Sequence, residues 1–262
     1  DRAVATTYSL DLISLLSIPV ALIYSRNMDD KGNWMNLFDS LQKTSDKLKV
    51  YYQASKIHVP NENNQFVTFI EDSITGVIPK TDQTSFHPKI WVIRYKGQKN
   101  QFLYRFIVLS RNLTFDRSWD IAFYLEGYTT KKIQPQNKSL CDYIKHLSEY
   151  SDFEDSKRFI KDLEKVDFHI EDPFNDFEFF PMGFKRYNNP LANESFEDLI
   201  IVSPFIDEDT LTHFTDSSIV NGRTFLFSRK EELDKIGKEV LDLFEDVYVF
   251  SSRVVEGEED ID

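Results

Sequence analysis

The chain holds one cysteine, Cys141, eight glycines and nine prolines in 262 residues. A lone thiol closes no internal disulfide and builds no multi-thiolate metal site, so a disulfide scaffold and a thiolate zinc fold are both excluded. So few glycines exclude collagen-like and Gly-rich low-complexity chains. Long apolar runs are also missing. The longest, 10–24, is interrupted by Asp11, Ser14, Ser17 and Pro19, and no segment reaches the roughly 18 apolar residues of a membrane span. Positive charge is in deficit, with 31 Lys and Arg against 44 Asp and Glu for a net charge of −13. That balance opposes a general nucleic-acid coat or a polybasic membrane-surface protein, since whole-molecule attraction to phosphate is absent. Familiar catalytic signatures are absent too: there is no GxxxxGK[ST], GxGxxG, HExxH, CxxC or GxSxG.

What is present reads as a folded α/β chain, because hydrophobics at 41% and charged residues at 29% suffice for a sizeable core. Thr6 to Asp11 predicts a short strand leading into a helix that Ser9 or Asp11 caps. Segment 19–24 reads as a buried strand and 35–48 as a helix. Strands follow at 50–54 and 57–59, then a helical stretch at 66–74 closed near Gly76 and Pro79. The runs 89–95 and 101–109, separated by Gly97 and Asn100, predict a hairpin, with 122–127 as a third strand beside them. Helices are expected at 138–150 and 155–166. From 167 the texture turns to Asp, Pro, Phe and Asn without a period, a linker whose Phe174, Phe177, Phe179 and Phe180 read as a packing cluster. Strand 198–202 then runs to a helix cap at Asp207, followed by strand 224–227, helix 231–244 and strand 247–250. Ser203 to Asp207 with its helix rhymes with Thr7 to Asp11 and its helix, so the order of elements repeats.

The chemistry concentrates in 86–127. His87 and Lys89 stand at i and i+2, on one face if the segment is a strand, and Ser110 and Asn112 stand at i and i+2 after the hairpin. In an antiparallel hairpin the start of one strand lies beside the end of the other, so the four gather at one sheet end. An imidazole, a fixed cation and an amide donor together suit a phosphate oxyanion. In 86–117, seven Lys and Arg against the one acid Asp116 give +6, which leaves −19 for the rest of the −13 total. A basic island in an acidic chain points to a local phosphate site.

The stretch His87-x-Lys89 with Ser110-x-Asn112-Leu113-Thr114 resembles one catalytic half of the phospholipase D superfamily, whose motif is His-x-Lys followed by a small residue-x-Asn. The Asp that usually completes that motif falls on Arg94, which is similar to the tyrosyl-DNA phosphodiesterase branch and to phospholipase D-like nucleases. The resemblance implies a phospholipase D-like α/β sandwich, a mixed sheet flanked by helices. It divides the chain into a first half at 1–166, a connecting loop at 167–195 and the beginning of a second repeat at 196–262.

It also implies a metal-independent phosphodiesterase, a nuclease or DNA-processing enzyme, working through a phosphohistidine without a cofactor. His87 would be nucleophile or acid/base, Lys89 and Asn112 would hold phosphate, and Asp120 would orient the histidine. Ser110, Arg111 and Arg117 would contact substrate, while Trp91 and Trp119 read as core residues of the sheet, Trp119 close enough to the motif to line it. The other histidines, His58, His146, His169 and His213, lack a Lys two residues on. The chain therefore reads as half an active site, completed by a homodimer or by a C-terminal half beyond residue 262, unless the second half is degenerate. The start at Asp1 and the acidic end at 256–262 fit a fragment. A nucleic-acid substrate, no membrane contact and a cytoplasmic setting are the accompanying expectations. A non-catalytic phosphate- or nucleic-acid-binding module on the same fold is the alternative.

Overall fold

The structure is a computed structural model that describes residues 1–24, 42–43, 45–60, 65–79, 81, 84–97, 101–115, 120–184, 186–187, 189–216 and 218–251. It divides into two compact units, Asp1–Pro181 and Met182–Asp262.

The first unit opens with β1 (Arg2–Thr7), a two-residue β2 (Leu10–Asp11) and α1 (Leu12–Tyr24). Asp11 is the cap: its Oδ1 accepts from the Ser14 N–H at 2.7 Å, satisfying one of the donors a helix start leaves open. The expected strand at 19–24 is helix instead. An apolar run without a clear period does not distinguish a buried strand from a buried helix, and here the helix begun at Leu12 continues. The helix expected at 35–48 lies mostly outside the described residues, and Leu48 itself opens a strand.

β3 (Leu48–Gln53), β4 (Ile57–His58), a 3-10 helix (Gln65–Ser73) and β5 (Ile74–Val77) follow. The stretch near Gly76, read as a helix end, pairs with β3 as a strand. Then come β6 (Ile90–Lys96), β7 (Phe102–Leu109) and β8 (Ala122–Thr129), followed by α2 (Lys138–Tyr150), α3 (Ser156–Leu163) and β9 (Val166–His169). β9 occupies the start of the stretch read as linker. It fits because Gly127 lies opposite it: a Cβ there would sit 2.2 Å from the Asp167 carbonyl oxygen.

These strands form one seven-stranded mixed sheet in the order β5-β3-β1-β6-β7-β8-β9. β1, β3 and β5 are parallel, whereas β6 to β9 run antiparallel to their neighbours. The β6–β7 pair is the expected hairpin, with Ile90 opposite Val108 and Lys96 opposite Phe102. Strand alternation sorts the core onto both faces. Ala5, Leu48 and Val50 pack with Leu12, Leu15, Leu16 and Ile70 on one face. On the other, Tyr104 meets Phe159 of α3 at 5.2 Å between ring centroids, and its hydroxyl donates to the Phe159 carbonyl. The loop phenylalanines pack edge-on as expected of a packing cluster: Phe179 on Phe106, Phe174 on Phe123 and Phe177 on Phe168.

The second unit contains β10 (Phe196–Val202), α4 (Glu208–Asp216), β11 (Ser218–Ser228), α5 (Lys230–Leu233), α6 (Lys238–Leu241) and β12 (Asp246–Val249). Its three strands are all parallel, in the order β10-β11-β12. Asp207 caps α4 through Thr210 N–H at 2.9 Å. The single helix expected at 231–244 is two short helices, because Gly237 stands extended at the start of the second and donates its N–H to the Glu208 carboxylate. Leu211, Leu226, Leu233, Ile236 and Phe244 form the core of this unit.

Candidate functional site

The candidate site sits where β1 and β3 end and β6 begins, the edge at which open α/β sheets commonly present ligand-binding loops. His87 and Lys89 lie just ahead of β6 rather than on it, in a segment without regular secondary structure at 84–89. The ladder is resumed at once, since Leu109 N–H donates to the Lys89 carbonyl at 2.9 Å. Phe86 N–H is held by Gln53 Oε1 at 2.7 Å, which ties this lead-in to the end of β3.

Within it, Lys89 Nζ lies 3.1 Å from both ring nitrogens of His87. The Tyr8 ring packs on the His87 ring with centroids 4.7 Å apart. Burial first, and the neighbouring Lys89 charge second, hold the His87 imidazole below its ordinary 6.5. Burial alone lowers the Lys89 ammonium. Neither His87 nor Lys89 has a carboxylate partner among the described residues.

The second part of the motif follows β7. Ser110 N–H donates to Ile121 O, and Ser110 Oγ accepts from Ile121 N–H at 2.9 Å while donating to Asp120 Oδ1 at 2.8 Å. Arg111 forms an ion pair with Asp120 at 3.2 Å and donates to the Thr114 carbonyl. Ser110, Arg111 and Asp120 thus lock one another, and the partners shown by Asp120, read in the sequence as orienting the histidine, are these two residues. Leu113 N–H donates to Thr7 Oγ1 at 2.9 Å, and Asp11 N–H donates to the Leu113 carbonyl. Asn112, held between these anchors, keeps its Oδ1 buried without a hydrogen-bond partner.

The end of β1 is therefore the common anchor: Thr7 holds the Asn112 segment and Tyr8 touches His87. Sequence reading missed Thr7, Tyr8 and Gln53, whose only signal was their place at the ends of parallel strands. Arg117 and Trp119 lie outside the described residues.

The basic island shrinks once its partners are visible. Arg94 is 3% exposed and meets Asp1, Asp155 and Asp162, Arg105 pairs with Glu126, and Arg111 pairs with Asp120. All these acids lie outside 86–117, so a count confined to that window could not include them. Cys141 is buried, and burial pushes its thiol up to about 12, far from a thiolate nucleophile. His58 pairs with Asp11 at 2.6 Å and His146 with Glu149 at 3.2 Å. Among the described residues no helix is long and apolar enough to cross a membrane.

No family model and no curated protein matches the chain. Among solved structures, the yeast tyrosyl-DNA phosphodiesterase is similar at 15% identity over 63% of this chain and 35% of that one, with a TM-score of 0.39. Its SCAN1 mutant is similar at 14% identity over 63% and 34%, with a TM-score of 0.40. The chain spans about a third of the length of these structures.

Proposed function

We propose that this chain supplies one half of the active site of a phospholipase D-like phosphodiesterase that acts on nucleic acid without a metal. The observation that supports the reading most is the His87–Lys89 contact of 3.1 Å at a sheet end, two basic groups with no carboxylate partner among the described residues. A lowered imidazole pKa keeps His87 neutral at pH 7, the form whose ring nitrogen attacks phosphorus. The N–P bond forms as the P–O bond to the leaving group breaks, and a second acid protonates that oxygen. Water then cleaves the N–P bond and restores the imidazole. Lys89 neutralises the non-bridging oxygens and Asn112 donates to them, while Asp120, through Ser110 and Arg111, sets the loop that carries Asn112.

The second acid would come from a second half. The repeat reading has support in both units: each begins with a strand, an aspartate-capped helix and parallel strands laid outward in chain order, β1-β3-β5 and β10-β11-β12. A homodimer or a longer chain would supply the missing His-x-Lys. The alternative, a non-catalytic phosphate-binding module, draws on the same fact that only one His-x-Lys is present. Cleavage of labelled DNA in EDTA separates the two: cleavage that His87→Ala abolishes supports the enzyme, whereas binding without cleavage supports the module.

A further inference from the structure

We infer that Tyr8 is a positioning residue for His87, its ring standing where a catalytic histidine commonly has a carboxylate. The inference rests on the reading of His87 as the nucleophile and adds the residue that aims it. The two rings pack with centroids 4.7 Å apart and planes tilted by 54°. An imidazole that attacks phosphorus must present one ring nitrogen in a fixed direction. Its other nitrogen is commonly held by an acceptor that sets the tautomer. No carboxylate does this for His87 among the described residues. Asp120 bonds to Ser110 and Arg111, and Asp11 bonds to Ser14 and His58.

The ring contact is built into the backbone by Gln53, at the end of β3. Its N–H donates to the Tyr8 carbonyl at 3.2 Å, and its Oε1 accepts from Phe86 N–H at 2.7 Å. One residue thus sets the spacing between the segment that carries Tyr8 and the segment that carries His87. The flanks of Tyr8 are pinned as well. Thr7 Oγ1 donates to the Ser9 carbonyl at 2.7 Å, and Leu10 N–H donates to the Lys56 carbonyl at 2.9 Å. Lys56 Nζ, 5.7 Å from the Tyr8 ring centroid, adds a cation–π contact that steadies the ring. The Tyr8 hydroxyl makes no hydrogen bond among the described residues, so the ring carries the role.

A ring and a carboxylate act on an imidazole with opposite sign. A carboxylate favours the imidazolium and raises its pKa, whereas a ring buries the imidazole and favours the neutral form. The charged groups on the surrounding elements are Lys89 on the same segment, Lys56 in the turn after β3, the Arg111–Asp120 pair after β7 and the Asp11–His58 pair beyond Tyr8. Among them Lys89 acts on His87, in the same direction as burial. The nucleophile so placed stays neutral to a lower pH than a carboxylate-held histidine.

The test uses the full chain carrying 13C-labelled histidine, with the His87 signal identified by its loss in His87→Ala. Cross-relaxation should connect the His87 and Tyr8 rings in the wild type. The His87 pKa should lie below 6.5 in the wild type and rise toward it in Tyr8→Ala. With bis(p-nitrophenyl) phosphate in EDTA, Tyr8→Ala should lower kcat about thirtyfold and leave KM within about twofold, the mark of lost orientation. Tyr8→Phe, which restores the ring, should rescue kcat to within about threefold of the wild type. Absent cross-relaxation, a His87 pKa that ignores Tyr8→Ala, a change in KM alone, or an equal loss in Tyr8→Phe overturns the inference. The first of these needs no variant to fold. No cleavage by the wild type overturns the phosphodiesterase reading and this inference with it. Cleavage by the wild type that His87→Ala abolishes and Tyr8→Ala leaves intact overturns this inference alone.

Discussion

Arg94 and Lys89 lie five residues apart along one segment, yet their surroundings are opposite. Arg94, on β6, is 3% exposed, stacked between the rings of Phe102 and Phe159 and faced by Asp1, Asp155 and Asp162. The cleft beside it, about 580 Å³, mixes five cations with four acids. Lys89, just ahead of β6, meets only the His87 ring and carbonyl among its described hydrogen-bond partners, and burial lowers its pKa without an opposing acid. A buried cation matched by carboxylates holds a fold together. A partly buried cation set against an imidazole costs free energy in the folded state, which a bound phosphate would offset under the proposed function.

That contrast can be tested one residue at a time. His87→Ala should lower cleavage at least about a thousandfold while circular dichroism and the unfolding midpoint stay unchanged, because only the ring nitrogen forms the intermediate. A small loss would move His87 to the structural side of the comparison. Arg94→Ala should do the reverse. Removing one partner leaves buried carboxylates unpaired and should cost about 3 kcal/mol in urea unfolding, with turnover per folded molecule retained.

Lys89→Gln should reduce kcat/KM about a hundredfold and also move the pH profile. The Lys89 charge helps to hold His87 below 6.5, so its loss raises the histidine pKa and shifts the ascending limb of the rate profile toward higher pH. A profile that stays in place would mean that the two side chains do not interact as described. Asp11→Ala should cost about 1 kcal/mol, the value of a helix cap. Burial alone would raise the Asp11 pKa, but the Ser14 and His58 hydrogen bonds outweigh it and lower the carboxyl below 3.8. Its contribution is therefore complete above 3.8 and lost as pH falls through the lower folded value. The wild type's advantage over Asp11→Ala should vanish only in strong acid.

Much of the fold was legible because its strands and helices carry clear periods. The hairpin of β6 and β7, strand β8 and helix α2 lie where alternation and 3.6-residue spacing put them. The misreadings share a cause. The apolar run after Leu16 has no period to separate strand from helix, and helix 231–244 breaks at Gly237 through a bond to distant Glu208. The His87, Lys89, Ser110 and Asn112 spacing singled out the candidate site. Its anchors, Thr7 and Tyr8, are brought to it by β1 pairing beside β6, a contact of long sequence separation. For the same reason the basic island looked freer than it is: Asp1, Asp155 and Asp162 reach Arg94 only through tertiary structure.

The central claim, that His87 is a nucleophile set beside an unneutralised Lys89, is tested most directly by trapping. The chain is mixed with 32P-labelled single-stranded DNA in EDTA, quenched in alkaline detergent, which preserves an acid-labile N–P bond, and digested for peptide mapping. The account predicts label on the peptide that carries His87, and none in His87→Ala. Cleavage that appears only with a divalent metal, or label on a different residue, would contradict it.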